Sequence, residues 1–163
     1  MFTQEEIIGL RRRFHQTPET GWLEFQTTVT IIDHLKEMGY DVHYGREIHS
    51  QRMGLPTEEE MKAHAARLDL KRDYDISEIL LGYTGAMAVL DTGRPGPVVA
   101  LRFDIDCNGV QEAADEDHLP AREGFRSMIP SAMHACGHDG HAAIGLGVAA
   151  WIMEHQPTLK GRF

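Results

Sequence analysis

Apolar residues recur at helical spacing in two stretches near the start of the chain. Thr3 and Glu6 have the spacing of a capping box, and the apolar residues after them predict a helix from residue 3 to about 16. A second apolar stripe runs from Phe25 to Met38 and stops at Gly39, a residue type that commonly ends helices. The N-terminal part of the chain is therefore expected to form two amphipathic helices.

Short stretches later in the chain have the character of strands. Tyr40–Tyr44 and Gly85–Leu90 each predict a short strand. Pro97–Asp106 is mostly apolar without strict alternation, which predicts a strand buried on both faces of a sheet. Strands that alternate with amphipathic helices indicate an α/β fold.

Residues 45–80 form a looser and highly charged stretch between the predicted strands. Thr57 and Glu60 again have capping-box spacing, so a helix is expected within it. Its charges are interpreted as a solvated face rather than a binding surface. We expect this stretch to be a peripheral helical insert that does not line a functional site.

The last third of the chain combines an irregular connection with an apolar helix. Residues 107–133 show no periodicity, and we interpret so long a connection after a core strand as functional rather than disordered. Residues 142–153 are rich in alanine and aliphatic side chains and predict a buried helix. Gly145 and Gly147 within it indicate close packing against the sheet.

The composition describes an acidic chain with enough apolar residues for one core. Hydrophobic residues make up 42% of 163 residues, and the net charge of -9 disfavours binding to nucleic acid or anionic lipid. No stretch reaches the roughly 18 apolar residues of a spanning helix, and the first residues lack the features of a secretory signal. A cytoplasmic location is therefore expected, where Cys107 and Cys136 would remain thiols.

Histidine, cysteine and aspartate are concentrated between Met133 and His141. His134, Cys136 and His138 alternate along the chain, so an extended backbone would place them on one side, and imidazole and thiolate are suitable ligands for zinc-like ions. Asp139 is expected either to cap the next helix or to hold a ligand histidine. We predict a metal site with Cys136 and His138 as its first ligands, and with further ligands from elsewhere.

Two carboxylates close the predicted buried strand. Ligands of open α/β sheets bind beyond the carboxyl ends of strands, which is where Asp104 and Asp106 lie. Taken alone, the pair fits a strand end that meets solvent equally well. With the histidine cluster, it predicts a cleft shared by Cys136, His138 and Asp106.

A nucleophilic role for Cys136 is the alternative chemistry. A thiolate beside His134 or His138 would form a Cys–His pair of the kind found in thiol hydrolases. Neighbours in sequence are poorly placed for that geometry, because such partners usually come from distant segments. The metal interpretation is therefore preferred.

Several stretches resemble a known enzyme family. Arg11–Gln16, Arg102–Asp106 and Met133–His141 resemble the metal-dependent amidohydrolases, which include aminoacylases, hippurate hydrolases and indole-acetyl-amino-acid hydrolases. Gly45–Glu47 and Arg52–Pro56 are similar to the aminobenzoyl-glutamate hydrolase group within that family. Together with Asp91–Pro97, which matches the same group, they span nearly the whole chain.

The resemblance implies a fold, a reaction and roles for four residues. The fold would be the N-terminal part of a zinc-peptidase-like catalytic domain, with a central mixed sheet flanked by helices. Two divalent ions, manganese or zinc, would activate water against the amide of an N-acyl or N-aroyl amino acid such as aminobenzoyl-glutamate. Cys136 resembles the bridging thiolate, His138 a ligand of one metal and Asp106 the supporting carboxylate, with Asp104 beside it. The resemblance also implies a dimer, formed with a second copy or with a homologous subunit.

Departures from the family pattern limit what the resemblance implies. Cys107 stands where these enzymes commonly have alanine, and packing is its preferred role over ligation or oxidation. The family's paired glutamates, which supply the general base, its later histidines and its dimerisation domain have no match in residues 1–163. We therefore expect an N-terminal portion of a catalytic domain, and the second hypothesis is a catalytically silent fragment that retains some metal affinity.

This sequence predicts that the chain alone does not hydrolyse amides, even when manganese or zinc is supplied. A catalytic metal needs about three protein ligands, and the absence of a positioned general base forfeits roughly 10²–10⁴-fold in rate. The measurement is an assay against aminobenzoyl-glutamate and several N-acetyl amino acids, with Cys136→Ala as the control. Turnover that disappears in the control would contradict the prediction.

Overall fold

The computed structural model describes residues 2–163, which form five α-helices, two strands and two short 3-10 turns. In chain order the helices are α1 (Gln4–Gln16), α2 (Phe25–Glu37), α3 (Glu58–Ala65), α4 (Leu119–Arg122) and α5 (His138–His155); the strands are β1 (Asp41–Tyr44) and β2 (Ala86–Val89). The 3-10 turns are Gly45–Ile48 and Ile79–Leu81. Among the residues described, no helix is long and apolar enough to cross a membrane.

Side-chain caps define the start of α1 and of α3, as the sequence predicts. The Thr3 hydroxyl accepts from the Glu6 backbone N–H, and the Glu6 carboxylate accepts from the Thr3 N–H at 2.7 Å. Thr57 and Glu60 form the same reciprocal pair. Such pairs satisfy N–H groups that a helix leaves without partners, and each is worth about 1 kcal/mol.

Helix α5 begins earlier than its apolar composition indicates. It starts at His138 rather than at about residue 142, directly after Gly137, whose φ of 78° lies in the left-handed region that favours glycine. His138 and His141 therefore lie on the first turn of a helix and not in an extended loop. This shift changes which side chains converge at the candidate site.

The α/β class is confirmed, but the sheet among residues 2–163 is small. Strands β1 and β2 pair antiparallel, with Asp41 opposite Val89 and Tyr44 opposite Ala86. Both strand predictions for this pair are confirmed. Val42 and Ala88 are directly opposite each other and therefore share a face of the sheet, and this face packs against the helices.

The prediction of a doubly buried strand over residues 97–106 is wrong. The segment forms no strand, and two of its apolar side chains, Val98 and Leu101, are 78% and 55% exposed. Apolar composition indicates a preference for burial, but a strand also needs a hydrogen-bonding edge beside it. In the described chain only residues near Arg162 provide one, through a parallel bridge to Val98.

Residues 161–163 lie between the end of β2 and this extended segment. Leu90 and Phe163 exchange two backbone hydrogen bonds of 2.9 Å, and Arg162 bonds to Val99 and Pro97 at 2.8 and 2.9 Å. An apolar groove of about 630 Å³ lies between β2 and the extended segment 97–106. Its lining includes Leu35, Met87, Leu101, Phe103 and Leu146.

The core has two apolar clusters that share α2 as a wall. The first joins α1 to α5 through Leu10, Phe14, Leu35, Ala142, Ala143 and Leu146. The second packs α2 against the charged stretch of residues 45–80 through Phe25, Val29, Ile32, Met61, Leu70 and Ile79. Hydrogen bonds also join this stretch to α2, because Asp33 accepts from Arg72 Nε and from the Tyr74 hydroxyl at 2.7 Å each.

The two central glycines of α5 predict different responses to substitution by alanine. A Cβ at Gly145 would lie 2.9 Å from Cγ and Cδ2 of the Phe103 ring, whereas one at Gly147 would meet only the flexible tip of Ile7. Gly145→Ala should lose about 1–3 kcal/mol to overpacking, against a helix-propensity gain of about 1 kcal/mol. Gly147→Ala should be neutral or stabilising in urea unfolding. Equal effects of the two substitutions would contradict the packing described here.

Candidate metal site

His138 connects the first turn of α5 to the end of the extended segment. Its Nδ1 lies 2.9 Å from the backbone oxygen of Asp106 and 3.0 Å from Asp106 Oδ1. An imidazole that donates from Nδ1 to an oxygen presents Nε2 as its free, electron-donating nitrogen. This is the arrangement that orients a histidine ligand toward a metal.

His141 and Asp104 lie beside His138 and complete a group of three possible ligands. The rings of His138 and His141 are stacked with centroids 5.1 Å apart, and His141 Nδ1 is 3.8 Å from Asp104 Oδ2. One ligand atom from each of these residues lies within 4.8 Å of the other two. Two imidazoles and a carboxylate suit zinc or manganese, so the residues present fit a divalent ion.

The group is accessible to a ligand from solvent. The side chains of His141 and Asp104 are 47% and 35% exposed, while that of His138 is 20% exposed. Asp104 also accepts from Arg102 Nη2 at 2.7 Å, and this guanidinium is itself 88% exposed. An exposed ion pair contributes little free energy, so Arg102 offers weak competition to a divalent ion at Asp104.

Cys136 lies in the turn that precedes α5 and is exposed. Its backbone N–H donates to Asn108 Oδ1 at 3.2 Å, and Asn108 exchanges two backbone hydrogen bonds with Met133. The turn is thereby fixed to the connection that follows Asp106. The group of three does not include Cys136, so its pairing with His138 in metal binding stays a prediction.

The convergence of His134, Cys136 and His138 assumes an extended backbone that this segment does not form, and it stays a prediction. The chain turns at Ala135 and Cys136, and His134 is buried at 5% exposure. Neither ring nitrogen of His134 has a hydrogen-bond partner among the residues described. Burial, with the nearby His15 and His138 adding to its effect, lowers the pKa of His134 to about 4, so this imidazole is neutral at pH 7.

Cys107 and Glu24 form a second, buried acidic environment near Asp106. The Cys107 N–H donates to the Glu19 backbone oxygen at 2.8 Å. Burial, together with the charges of Asp106, Glu19 and Glu24, raises the pKa of the Cys107 thiol to about 12, which agrees with a packing role. Burial also raises the pKa of Glu24 to about 7, although a hydrogen bond from the Thr84 hydroxyl acts in the opposite direction.

A buried network behind the site has no local signal in the sequence. His15 Nδ1 lies 2.7 Å from Asp139 Oδ2, and His15 Nε2 lies 2.9 Å from Glu112 Oε1. Arg11 Nε is also 2.7 Å from Asp139 Oδ2. The sequence predicts that Asp139 caps α5 or holds a ligand histidine. The capping prediction is wrong, because the N-cap is Gly137 and has no side-chain cap bond. Asp139 lies inside the first turn, where it accepts from the N–H of Gly140 at 2.8 Å, and the histidine it holds is His15 rather than a predicted ligand.

Burial and hydrogen bonding act in opposite directions on this network. Burial alone would lower the pKa of His15, but the bonds to Asp139 and Glu112 outweigh it and raise the pKa. Burial would raise the pKa of each carboxyl, and the bond from His15, with further donors, leaves both pKa values lowered. The charged forms of all three residues therefore stabilise one another.

Comparison with known proteins relates the chain to a group of hydrolases. It is 44% identical over 155 residues to one of the subunits of p-aminobenzoyl-glutamate hydrolase of Escherichia coli, a match that covers 93% of this chain and 36% of that protein. It is 42% identical over 163 residues to indole-3-acetyl-aspartic acid hydrolase of Enterobacter agglomerans, covering 96% of this chain and 37% of that protein. The chain thus spans just over a third of the length of these relatives. No family model matches it.

Solved structures show the same relationship in three dimensions. An aminobenzoyl-glutamate utilization protein from Klebsiella pneumoniae superimposes with a TM-score of 0.72 at 34% identity, over 97% of this chain and 34% of that one. A protein of Bacillus subtilis, described as a dinuclear metal binding peptidase from the M20 family, gives a TM-score of 0.65 at 28% identity, over 97% and 33% of the two chains. The resemblance stated from the sequence is confirmed.

The raised pKa of His15 predicts that stability depends on pH. Because the folded-state pKa exceeds the unfolded value, the contribution of the imidazolium is complete below about pH 6.5 and is lost as pH rises through the folded pKa. His15→Gln should therefore destabilise the chain more near pH 6 than near pH 9 in urea unfolding. His155→Gln, at the opposite end of α5, is the control, because it removes a histidine without touching the buried network. A loss that is equal at both pH values would exclude a charged His15.

Proposed function

Because the chain belongs in sequence and fold with the amidohydrolases that include aminobenzoyl-glutamate hydrolase, we propose that it carries part of the metal site of an amide hydrolase. The observation that carries this proposal is the convergence of Asp104, His138 and His141 within 4.8 Å. The proposed substrates are N-acyl or N-aroyl amino acids, and aminobenzoyl-glutamate is the first to test. Residues 1–163 would belong to the N-terminal part of the catalytic domain, with residues 45–80 as an insert outside the site.

Each residue of the site has a proposed task that follows from its contacts. Nε2 of His138 would bind the metal while Nδ1 donates to Asp106, which fixes the plane of the ring. His141 and Asp104 would supply a second nitrogen and an oxygen. On the resemblance, Cys136 would add a thiolate and become available to a second ion. Manganese or zinc, when bound, supplies Lewis-acid activation of water and of the amide carbonyl.

The local charge favours a cation at this position. Asp104 and Asp106 place two carboxylates beside the paired histidines, and the chain as a whole has a net charge of -9. Negative potential at an open edge raises the local concentration of divalent ions. Asp106 is the nearest candidate to receive or orient a proton from His138, because its Oδ1 lies 3.0 Å from Nδ1.

The structure disfavours the thiol-hydrolase alternative, which requires His134 or His138 as a base for Cys136. His134, one of its two proposed bases, is buried whereas Cys136 is exposed, and its low pKa makes it a poor proton acceptor at pH 7. The other, His138, already contacts Asp106. A catalytically silent chain that retains metal affinity remains the second candidate. Both candidates predict no amide hydrolysis by residues 1–163 alone, so an assay that separates them must also include the general base that the family supplies.

Assembly and location also belong to this proposal. The name of one relative describes that protein as one subunit of a hydrolase, which motivates a dimer with a second copy or a homologous subunit. We also propose a cytoplasmic location, as the sequence leads us to expect. Size-exclusion chromatography with and without a candidate partner would test the first of these two statements.

Metal titration tests the proposed site directly. The chain should bind Mn²⁺, Zn²⁺ or Co²⁺ at one saturable site. His138→Ala should weaken binding by at least the roughly 10–100-fold typical of losses in the shell around a metal. His141→Ala and Asp104→Asn should weaken it as well. Cys136→Ser should abolish any cobalt–thiolate charge-transfer absorption if the thiolate is a ligand.

The matched control is His155→Ala, which removes a histidine from the other end of the same helix. His155 bonds to the Trp151 backbone oxygen and stacks on the Trp151 ring, so its loss changes the histidine count without touching the candidate site. It should bind metal as the original chain does. Similar affinities for His138→Ala and His155→Ala would refute the site.

A further inference from the structure

One buried histidine joins three separate segments behind the candidate metal site. His15 lies in α1, Glu112 in the connection before α4, and Asp139 in the first turn of α5. The three residues are 2%, 2% and 1% exposed, respectively. They are linked by bonds of 2.7 and 2.9 Å from the two ring nitrogens of His15 to the two carboxylates.

This geometry requires a particular protonation state of His15. A neutral imidazole has one N–H, so one of its two nitrogens would direct a lone pair at a carboxylate. Only the imidazolium donates to both Asp139 and Glu112. Arg11 supplies a second positive charge to Asp139, and His118 Nε2 lies 2.7 Å from the same oxygen of Glu112 that His15 contacts.

Asp139 connects His15 to the turn that carries the candidate ligands. It follows His138 directly, and its Oδ1 accepts from the N–H of Gly140 while its Oδ2 is held by His15 and Arg11. The carboxylate therefore holds the turn that carries both His138 and His141. A rotation of this turn would separate those two rings from Asp104.

Packing alone does not explain a charged group at this position. Leu10 and Phe14 of α1 already pack against Ala143 and Leu146 of α5 in the apolar core. Burying charges costs desolvation free energy that an apolar side chain would avoid. What the charged group adds is direction, since charge-assisted hydrogen bonds fix the rotation of α5 about its axis.

We propose that His15 is a positioning residue that holds the first turn of α5 in the orientation needed by the candidate metal ligands. It touches neither metal nor substrate and acts through Asp139. The link to metal binding rests on the proposed function, whereas the link to the geometry of the turn does not.

Two amide variants separate the two bonds of His15. The amide of His15→Asn is placed near the position of Nδ1 and can still donate to Asp139. The longer His15→Gln places its amide near the position of Nε2 and can donate to Glu112 instead. Both variants lose the positive charge and so serve as controls for each other. The readouts are urea stability, amide hydrogen exchange in residues 138–141 and Mn²⁺ affinity.

His15→Gln should speed exchange in the first turn of α5 and weaken Mn²⁺ binding by about tenfold, the lower end of effects from residues that orient ligands. His15→Asn should retain most of the Mn²⁺ affinity and most of the protection of residues 138–141 from exchange. This should hold even if its stability in urea is as low as that of His15→Gln. This order is the signature of positioning, because a general loss of stability would affect the two variants alike.

Several results would overturn the proposal. Unchanged exchange in His15→Gln, or equal losses of affinity in both variants, would do so. Exchange could be faster in His15→Gln than in His15→Asn in a chain that binds no metal through His138. That result would support the role of His15 in positioning the turn and would refute the proposed function. If neither variant folds, the isosteric pair Asp139→Asn and Glu112→Gln replaces them. Only Asp139→Asn should then loosen residues 138–141, and equal loosening would overturn the proposal.

Discussion

The contact between His138 and Asp106 is the constraint on which the candidate site depends. It joins two parts of the chain that are far apart in sequence, the first turn of α5 and the end of the extended segment, at distances of 2.9 and 3.0 Å. His141 Nδ1 and Asp104 Oδ2, 3.8 Å apart, form a longer link between the same two parts of the chain. The contact also orients the imidazole, so one interaction supplies both the assembly of the site and the direction of its central ligand.

Behind this exposed group lies a polar layer of opposite character. The front carries carboxylates and half-exposed histidines that can exchange with solvent, while Glu112 and Asp139 are paired inside the protein with His15. Buried charges are tolerated only when paired, so the inner layer is stable as a complete set. The apolar contacts between α1 and α5 surround it, and these place both layers on the same helix turn.

Sequence patterns within a few residues predict individual helices and strands well. They do not predict structure that depends on partners far away in the sequence. The capping boxes at Thr3 and Thr57 and the two strands of the sheet are predictable because their determinants lie within a few residues. The segment 97–106 is not, since its apolar composition does not reveal which edge lies beside it. The sequence does not single out His141, because the start of α5 is set by Gly137 rather than by apolar periodicity. The partners of His15 lie 97 and 124 residues away, so no spacing rule could indicate them.

The most direct test of a metal site at His138, His141 and Asp104 is anomalous diffraction from crystals soaked in manganese or zinc, because it locates the metal and its ligands independently of activity. We expect an anomalous peak bonded to His138 Nε2, with Asp104 and His141 in the same coordination sphere. A thiolate contact from Cys136 would extend the site as the resemblance implies. A peak at another group of residues, with none at His138, would show that His138, His141 and Asp104 do not form the metal site.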